Sequence, residues 1–516
     1  MTIFDFGGGI NEINDIAISP KEAITGQNFE LGLGNTKFKR RAPFDLLDTA
    51  TNSSNIHGLH QLITRADVKT TLVAAGTDMY KWDGAIFTDV GNVDADSEFH
   101  DIDWDLDETI VIVDRIKENP VLEWDGTTLA ALTHGIGGVT NFYAKYGEVM
   151  NGRMVLANVT TDAIENPHMV VFSAFENRQL YDTSARSGDS GFTTGLEAFY
   201  LLSPDLRPIN GMVQFKRSLI ISTSGREGRL FELVGDDSTN YRWEPYYAGS
   251  NAVGNDSFIN SGDDVFYIRN GGVIESLRAT VTYGDVGTDD ASLPVRNTMK
   301  NNTGARIVYD QTNRKVLFFL GSSVLVLFKD LIGSDLSPYS IYKTAHVSSF
   351  QTSAAVYMEL PDSTDKTVLF GDSLGNIYNL NGEGLAGDSG TTSINAKRKL
   401  PLQGASYQQF LEGRVFYRRK GECDLNISFE WGDEKNTTGI TIPLKGFSGV
   451  DNTNYWNSGL YWRNAEYWSE GLSGGGIPAT QGFSAIGKGS SVFVELQIDT
   501  VNEFEIDLIE TPGEAA

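Results

Sequence analysis

The stretch MYKWDGAIFTDV at residues 79–90 returns as VLEWDGTTLAAL at 121–132, each behind an apolar strand, TTLVAAG and ETIVIVD. Trp82 and Trp124 therefore stand 42 residues apart. Self-similarity at this period marks an architecture in which each unit supplies one small antiparallel sheet. Weaker strand–turn–strand copies follow at 153–182, 218–236, 263–277, 316–328 and 367–382, giving about seven units between His57 and Asn381. Runs of Val, Ile, Phe and Tyr with period-two alternation, punctuated by Gly, Asn and Asp, read as strands throughout. ARIVYD, KVLFFL and VLVLFK within residues 305–329 read as three consecutive antiparallel strands. Only Ser19–Glu30 and Gln408–Glu412 have any helical character.

The expected fold is all-β, a β-propeller of about seven blades over residues 57–395. An N-terminal extended arm (1–56) and a C-terminal β-sandwich-like domain (396–516) flank it. Two stacked sheets with evenly spaced strands are the competing arrangement. In the tail, SVFVELQID (491–499) and EFEIDLIE (503–510) alternate so that each buries one face, which predicts a hairpin.

Charge separates these parts. The chain holds 41 Lys and Arg against 68 Asp and Glu, a net charge of −27. Residues 57–395 alone hold 25 basic and 45 acidic residues. Duplex DNA is bound by neutralising its phosphates, so this balance excludes a tight DNA binder, though not a wall that DNA must pass without sticking. The single cysteine, Cys423, excludes an intramolecular disulfide framework and a Cys-based zinc cage. The most apolar segment, Val316–Phe328, is far short of the ~20 residues of a membrane helix. MTIFDFGGGINEIN lacks the charged start and apolar run of a signal peptide. The expectation is a soluble chain without a membrane span.

No catalytic set survives its spacing test. FGDSLGN (370–376) resembles the nucleophile block of GDSL-type esterases, in which a downstream His activates the Ser; here the last histidine, His346, precedes Ser373. GDSG at 188–191 and 387–390 reads as turn composition. DIDWDLDET places Asp101, Asp103, Asp105 and Asp107 at period two, out of register for a calcium loop. In a strand they share one face, as a charge-guarded edge, an acidic surface patch or an acidic channel lining. His57 and His60 fall on opposite faces of a strand, so no metal site, cofactor or catalytic residue is expected. Lys39, Arg40 and Arg41 in KFKRR, and Trp456, Trp462 and Trp468 in YWNSGLYWRNAEYWSEG, are interface candidates. The spaced tryptophans also suit sugar stacking.

The arm GGGINEINDIAISPKEAITGQNFELGLGNTKFKRRAPFD resembles the opening of tail-hub, or nozzle, proteins of short-tailed bacteriophages (packaged-DNA stabilisation proteins). The matching positions are Gly7–Gly9, Ser19–Pro20, Asn28–Glu30 and Arg40–Pro43. RVFYRRKGECDLNISFEWGDE, the spaced tryptophans and the final alternating strands resemble the end of those proteins. The resemblance implies a non-enzymatic virion tail protein made in the host cytoplasm. It implies a homo-oligomer, a hexameric ring around the DNA exit channel, that retains packaged DNA and contacts a head-to-tail adaptor and fibre or needle proteins. Genomic DNA would pass without sequence-specific binding, and the loop at Asp182–Leu196 is a candidate gate. A glycan-binding propeller and a propeller glycosidase are the alternatives.

Overall fold

A computed structural model describes residues 2–4, 10–12, 23, 25–31, 38–42, 44–102, 109–162, 164–184, 196–225, 227–245, 251–277, 291–300, 305–332, 337–343, 349–350, 354–361, 363–380, 392–401, 408–410, 413–419, 423–431, 437–444, 477–483, 487–489, 491–500, 505–511 and 513–515. The fold is all-β, built mostly of small antiparallel sheets.

Seven sheets follow one another in chain order. The first comprises Ile56–Ile63, Lys69–Ala75, Asp78–Trp82 and Phe87–Asn92; the second Ser97–Asp101, Ile110–Asp114, Leu122–Trp124 and Leu129–Ala131. The third is led by Tyr146–Met150, the fourth by Ile209–Phe215, the fifth by Phe258–Asn260, the sixth by Arg306–Asp310 and the seventh by Ala355–Glu359. Each leading strand packs against the next, and Ala355–Glu359 packs back against Ile56–Ile63, so the succession closes on itself. The outer strand of the seventh sheet is Asp45–Thr49, taken from the start of the chain and paired with Asn376–Asn379. Trp82 reinforces that join by donating its indole N–H to Asp48 at 3.0 Å.

The repeated motif has a local cause. Trp82 and Trp124 end strands and are fully buried. Rings of that size bury about 150–250 Å² each, roughly 4–6 kcal/mol at ~25 cal/mol/Å². Asp83 Oδ1 then accepts the backbone N–H groups of Ala85 and Ile86 at 3.0 and 2.8 Å, and Asp125 Oδ1 those of Thr127 and Thr128 at 2.9 and 2.7 Å. Gly84 and Gly126 supply the positive φ, 99° and 91°, that such a turn needs. Asp237 builds a related turn in the fourth sheet, accepting the Thr239 N–H at 2.8 Å, without a tryptophan to advertise it.

The described residues among the first 56 pair with distant parts of the chain. Thr25–Gln27 pairs with Thr392–Pro401, Phe38–Arg40 pairs with Glu505–Thr511, and Thr2–Phe4 pairs with the same C-terminal strand. Between these pairings the arm covers the edge of the sixth sheet. Ile10 N–H donates to Tyr339 O at 2.9 Å, Asn28 N–H to Ile341 O at 2.7 Å, and Ser340 Oγ to Phe29 O at 2.6 Å. An open edge is thereby paired instead of left as a template for aggregation. One core consequently joins Phe29, Leu31 and Phe44 to Phe318 and Val326 of the sixth sheet and to Leu425, Phe429, Val494 and Leu496.

Three local expectations change. Within Ser19–Glu30 the described residues include strands Thr25–Gln27 and the start of Phe29–Leu31, and Gln408–Phe410 is also a strand; neither is helical. Ser491–Thr500 and Glu505–Thr511 do not form a hairpin. The first lies between Thr392–Pro401 and Cys423–Trp431, the second beside Gly413–Arg419 in another sheet. In Ser491–Thr500, Val494 and Leu496 are buried while Gln497 is exposed, an alternation equally served by pairing within a larger sheet.

Candidate functional site

Ionisable groups gather where the leading strands meet. Ahead of Phe258–Asn260 lies a single short turn, Asn255–Ser257. Asn255 Nδ2 donates to Glu98 Oε1 of the second sheet at 2.6 Å, and its Oδ1 accepts the Met212 N–H of the fourth sheet at 2.8 Å. Asp256 accepts Arg115 Nη1 of the second sheet at 2.9 Å and Arg306 Nη1 of the sixth. A three-residue turn reaches the second, fourth and sixth sheets together only from inside their ring. Gly211 makes room for it, since a Cβ there would lie 3.0 Å from Asn255 Cα.

Arg115 is the hub of this plug. Its side chain is 8% exposed and also meets Asp96 Oδ1 at 3.3 Å and Glu98 Oε1 at 3.6 Å. Burial disfavours charge on Glu98, but Arg115, His100 and Arg306 outweigh it and hold that carboxyl down to about 2. His100 Nε2 lies 3.8 Å from Glu98 Oε2. Burial pushes the imidazole down, while Glu98 and Glu148 together raise it above its ordinary value. The ring rests on Gly147, where a Cβ would come within 2.5 Å of Nε2. Burial pushes Glu148 up to about 7, against the pull of His100. A cavity of 310 Å³ beside these groups is lined by Phe99, His100, Asp101, Glu148, Asn151 and Gln214 among others. Chemically, the cluster is a set of mutually spent charges that ties separate sheets together. Among the described residues no group of three or more His, Cys, Asp or Glu is placed to hold a metal.

The residues singled out from sequence are distributed as follows. Asp101 is exposed at the end of its strand and pairs with His60 at 2.7 Å; Asp103, Asp105 and Asp107 lie outside the described residues. His57 is buried instead, its Nε2 2.9 Å from Gly76 O, and burial pushes it down to about 4. Arg41 is turned inward. Its Nε donates to Asn28 Oδ1 at 3.0 Å, Nη1 to Ala42 O at 2.7 Å and Nη2 to Lys343 O at 3.2 Å, and the guanidinium stacks 3.9 Å from the centre of Phe44. Within the chain it pins the arm to the end of the sixth sheet. Lys39 and Arg40 sit in the short strand that pairs with Phe29–Leu31. Trp456, Trp462 and Trp468, both GDSG stretches and most of the loop at Asp182–Leu196 lie outside the described residues.

In FGDSLGN, Asp372 organises a turn. Its Oδ1 accepts the N–H groups of Leu374 and Asn376 at 2.8 and 2.9 Å, and Oδ2 accepts Asn376 Nδ2 at 2.9 Å and the Tyr378 hydroxyl at 3.3 Å. The plug itself was invisible to motif reading. Arg115, Asp256 and Arg306 come from three distant segments with no shared spacing. The one available signal was Arg115 directly after the buried run IVIVD.

No family model matches the sequence, and no curated protein matches it. Among solved structures, the chain is similar to one from a crystal structure of a mitotic checkpoint complex, with 9% identity over 66% of this chain and 92% of that one and a TM-score of 0.36. It is also similar to a Bacillus thuringiensis Cry1Da tryptic core variant, with 12% identity over 60% of this chain and 51% of that one and a TM-score of 0.18. At these TM-scores the likeness bears on neither fold family nor function. No helix among the described residues is long and apolar enough to cross a membrane.

Proposed function

We propose that this chain is a structural virion protein, a tail hub or nozzle of the short-tailed phage type, and that its ring of sheets is a seven-bladed β-propeller. The N-terminal strand Asp45–Thr49 would be the closing strand of the seventh blade. Six copies would surround the DNA exit channel, beneath the head-to-tail adaptor and above fibres or needle.

The observation that carries this reading is the plug. Asn255, Asp256, Arg115 and Arg306 cross-link the second, fifth and sixth sheets where their strands meet. On this reading the passage for DNA runs between copies and not through one chain. The acidic excess suits its wall: net repulsion keeps a duplex from adhering, and at ~0.15 M salt that field extends about 8 Å. The interior weld of arm, sixth sheet and C-terminal sheets supports a body that transmits load as one unit.

Negative-stain imaging of the purified protein, alone and with portal and adaptor proteins, tests the proposal. Rings with a central pore wider than the plugged subunit centre are expected. Isolated particles under both conditions would overturn it.

A further inference from the structure

Among the described residues, six of the seven sheets guard their outer edge against further pairing. Asp45–Thr49 carries Asp45 and Asp48, Phe87–Asn92 carries Asp89, and Arg242–Pro245 is charged and ends in proline. Leu129–Ala131 is only three residues long. Ala291 donates its N–H to Ile274 O of Val273–Ser276 at 3.1 Å, and the arm covers Tyr339–Tyr342. The third sheet differs. Its outer strand, Phe199–Leu202, stands last in the sheet, reads FYLL and holds neither charge nor proline.

Ser203 N–H donates to His168 O at 2.8 Å, and the register continues with Leu201 opposite Val170 and Phe199 opposite Phe172. By the alternation of an antiparallel ladder, Tyr200 and Leu202 turn their N–H and C=O groups away from the sheet. Their side chains are exposed as well, by 49% and 39%. The strand is held from behind, where Phe199 stacks on Phe172 with ring centres 4.3 Å apart. The nearest carboxylates in sequence are engaged within the chain: Glu197 accepts the Ser238 hydroxyl and Asp205 the Thr223 hydroxyl, each at 2.7 Å.

We propose that this edge pairs with the same edge of a second copy of the chain, strand against strand. The large exposed apolar residues are symmetric about Leu201. Tyr200 and Leu202 lie one position away, and Leu196 and Leu206, 44% and 64% exposed, lie five. A two-fold axis through Leu201 therefore sets Tyr200 of each copy opposite Leu202 of the other, and each such pair exchanges two backbone hydrogen bonds. On a chain of net charge −27, repulsion between copies is least where carboxylates are absent or engaged. The four side chains expose on the order of 400 Å², the size of the largest apolar patch on a typical monomer. With the backbone edge of both copies the contact reaches roughly 1,000 Å², where specific association begins. The pairing concerns the chain by itself and is independent of the hub reading.

Sedimentation of the full chain alone across micromolar concentrations tests the proposal, with no portal or adaptor protein present, so its failure leaves the hub reading standing. The mass should rise from one copy towards two. Y200K/L202K introduces the charge that guards natural edges, at exposed positions, so the urea midpoint should hold while association weakens at least tenfold. L202K alone reads the same contact if the double variant loses stability. A synthetic peptide of residues 196–204 should compete with dimer formation. A wild-type chain that stays single at every concentration would overturn the proposal. So would association undiminished in both variants, or an edge that takes up an unrelated alternating apolar peptide but not a second copy.

Discussion

Arg115 and Asp256 are 141 positions apart in sequence and 2.9 Å apart in space, one behind the second sheet and the other in front of the fifth. With Arg306 and Asn255, their meeting ties the second, fourth, fifth and sixth sheets together. Breaking a buried ion pair on one side leaves the other charge without compensation, at about 3–5 kcal/mol. Arg115→Ala should lower unfolding free energy by about that amount, measured by urea denaturation. Asp256→Asn in the Arg115→Ala background should cost far less than in the native chain. Additive losses would mean that the two residues do not act as a pair.

Glu148 and His100, neighbours in charge beside one cavity, set a pH dependence. Glu148 is raised to about 7 from 4.5 and His100 is raised from 6.5, so the folded chain holds both protons more tightly than the unfolded chain. That contribution is complete below the unfolded values and is lost as pH rises through the folded ones. Asp114, raised to about 6 chiefly by burial, acts in the same direction. His57, pushed down to about 4, acts oppositely, and its contribution fades as pH falls from 6.5 towards 4. The urea midpoint should therefore be lower at pH 8 than at pH 6, and Glu148→Gln should flatten that difference. An unchanged slope in Glu148→Gln would show that the proton resides elsewhere.

The arm should behave as part of the body. With a protease site inserted in the connection between Ala50 and Ile56, cleavage should leave the N-terminal fragment bound. That fragment is held by the seventh sheet, the edge of the sixth and both large C-terminal sheets. Size-exclusion chromatography should recover both pieces in one peak and separate them only in denaturant. Release under native conditions would contradict the interior weld.

Arg41 gives a sharper local test. Arg41→Ala removes three hydrogen bonds and a stacked cation from a buried site, and should cost about 2–4 kcal/mol. A variant with native stability but impaired association would return Arg41 to the role of an interface residue.

The features legible in the sequence were local ones. Trp82 with Asp83 and Gly84, and Trp124 with Asp125 and Gly126, announce themselves because core residue, turn acceptor and positive-φ glycine are adjacent in sequence. The three strands of 305–329 were legible for the same reason: each pairs with its neighbour. The arm was not, because Thr25–Gln27 and Phe38–Arg40 are three residues long and their C-terminal partners lie more than 350 positions away. Arg41 looked like a solvated basic run, since nothing in KFKRR tells which residue turns towards Asn28 and Phe44. The plug was least legible of all. A single Arg after an apolar strand and a single Asp in a loop acquire meaning only when ring closure sets them face to face.

The proposed hub places six copies of this chain around a channel that runs between them. Native mass measurement of the chain mixed with portal and adaptor proteins addresses it most directly. An assembly carrying six copies of the 56.5 kDa chain is expected. A chain that stays at 56.5 kDa in the presence of both partners would contradict it.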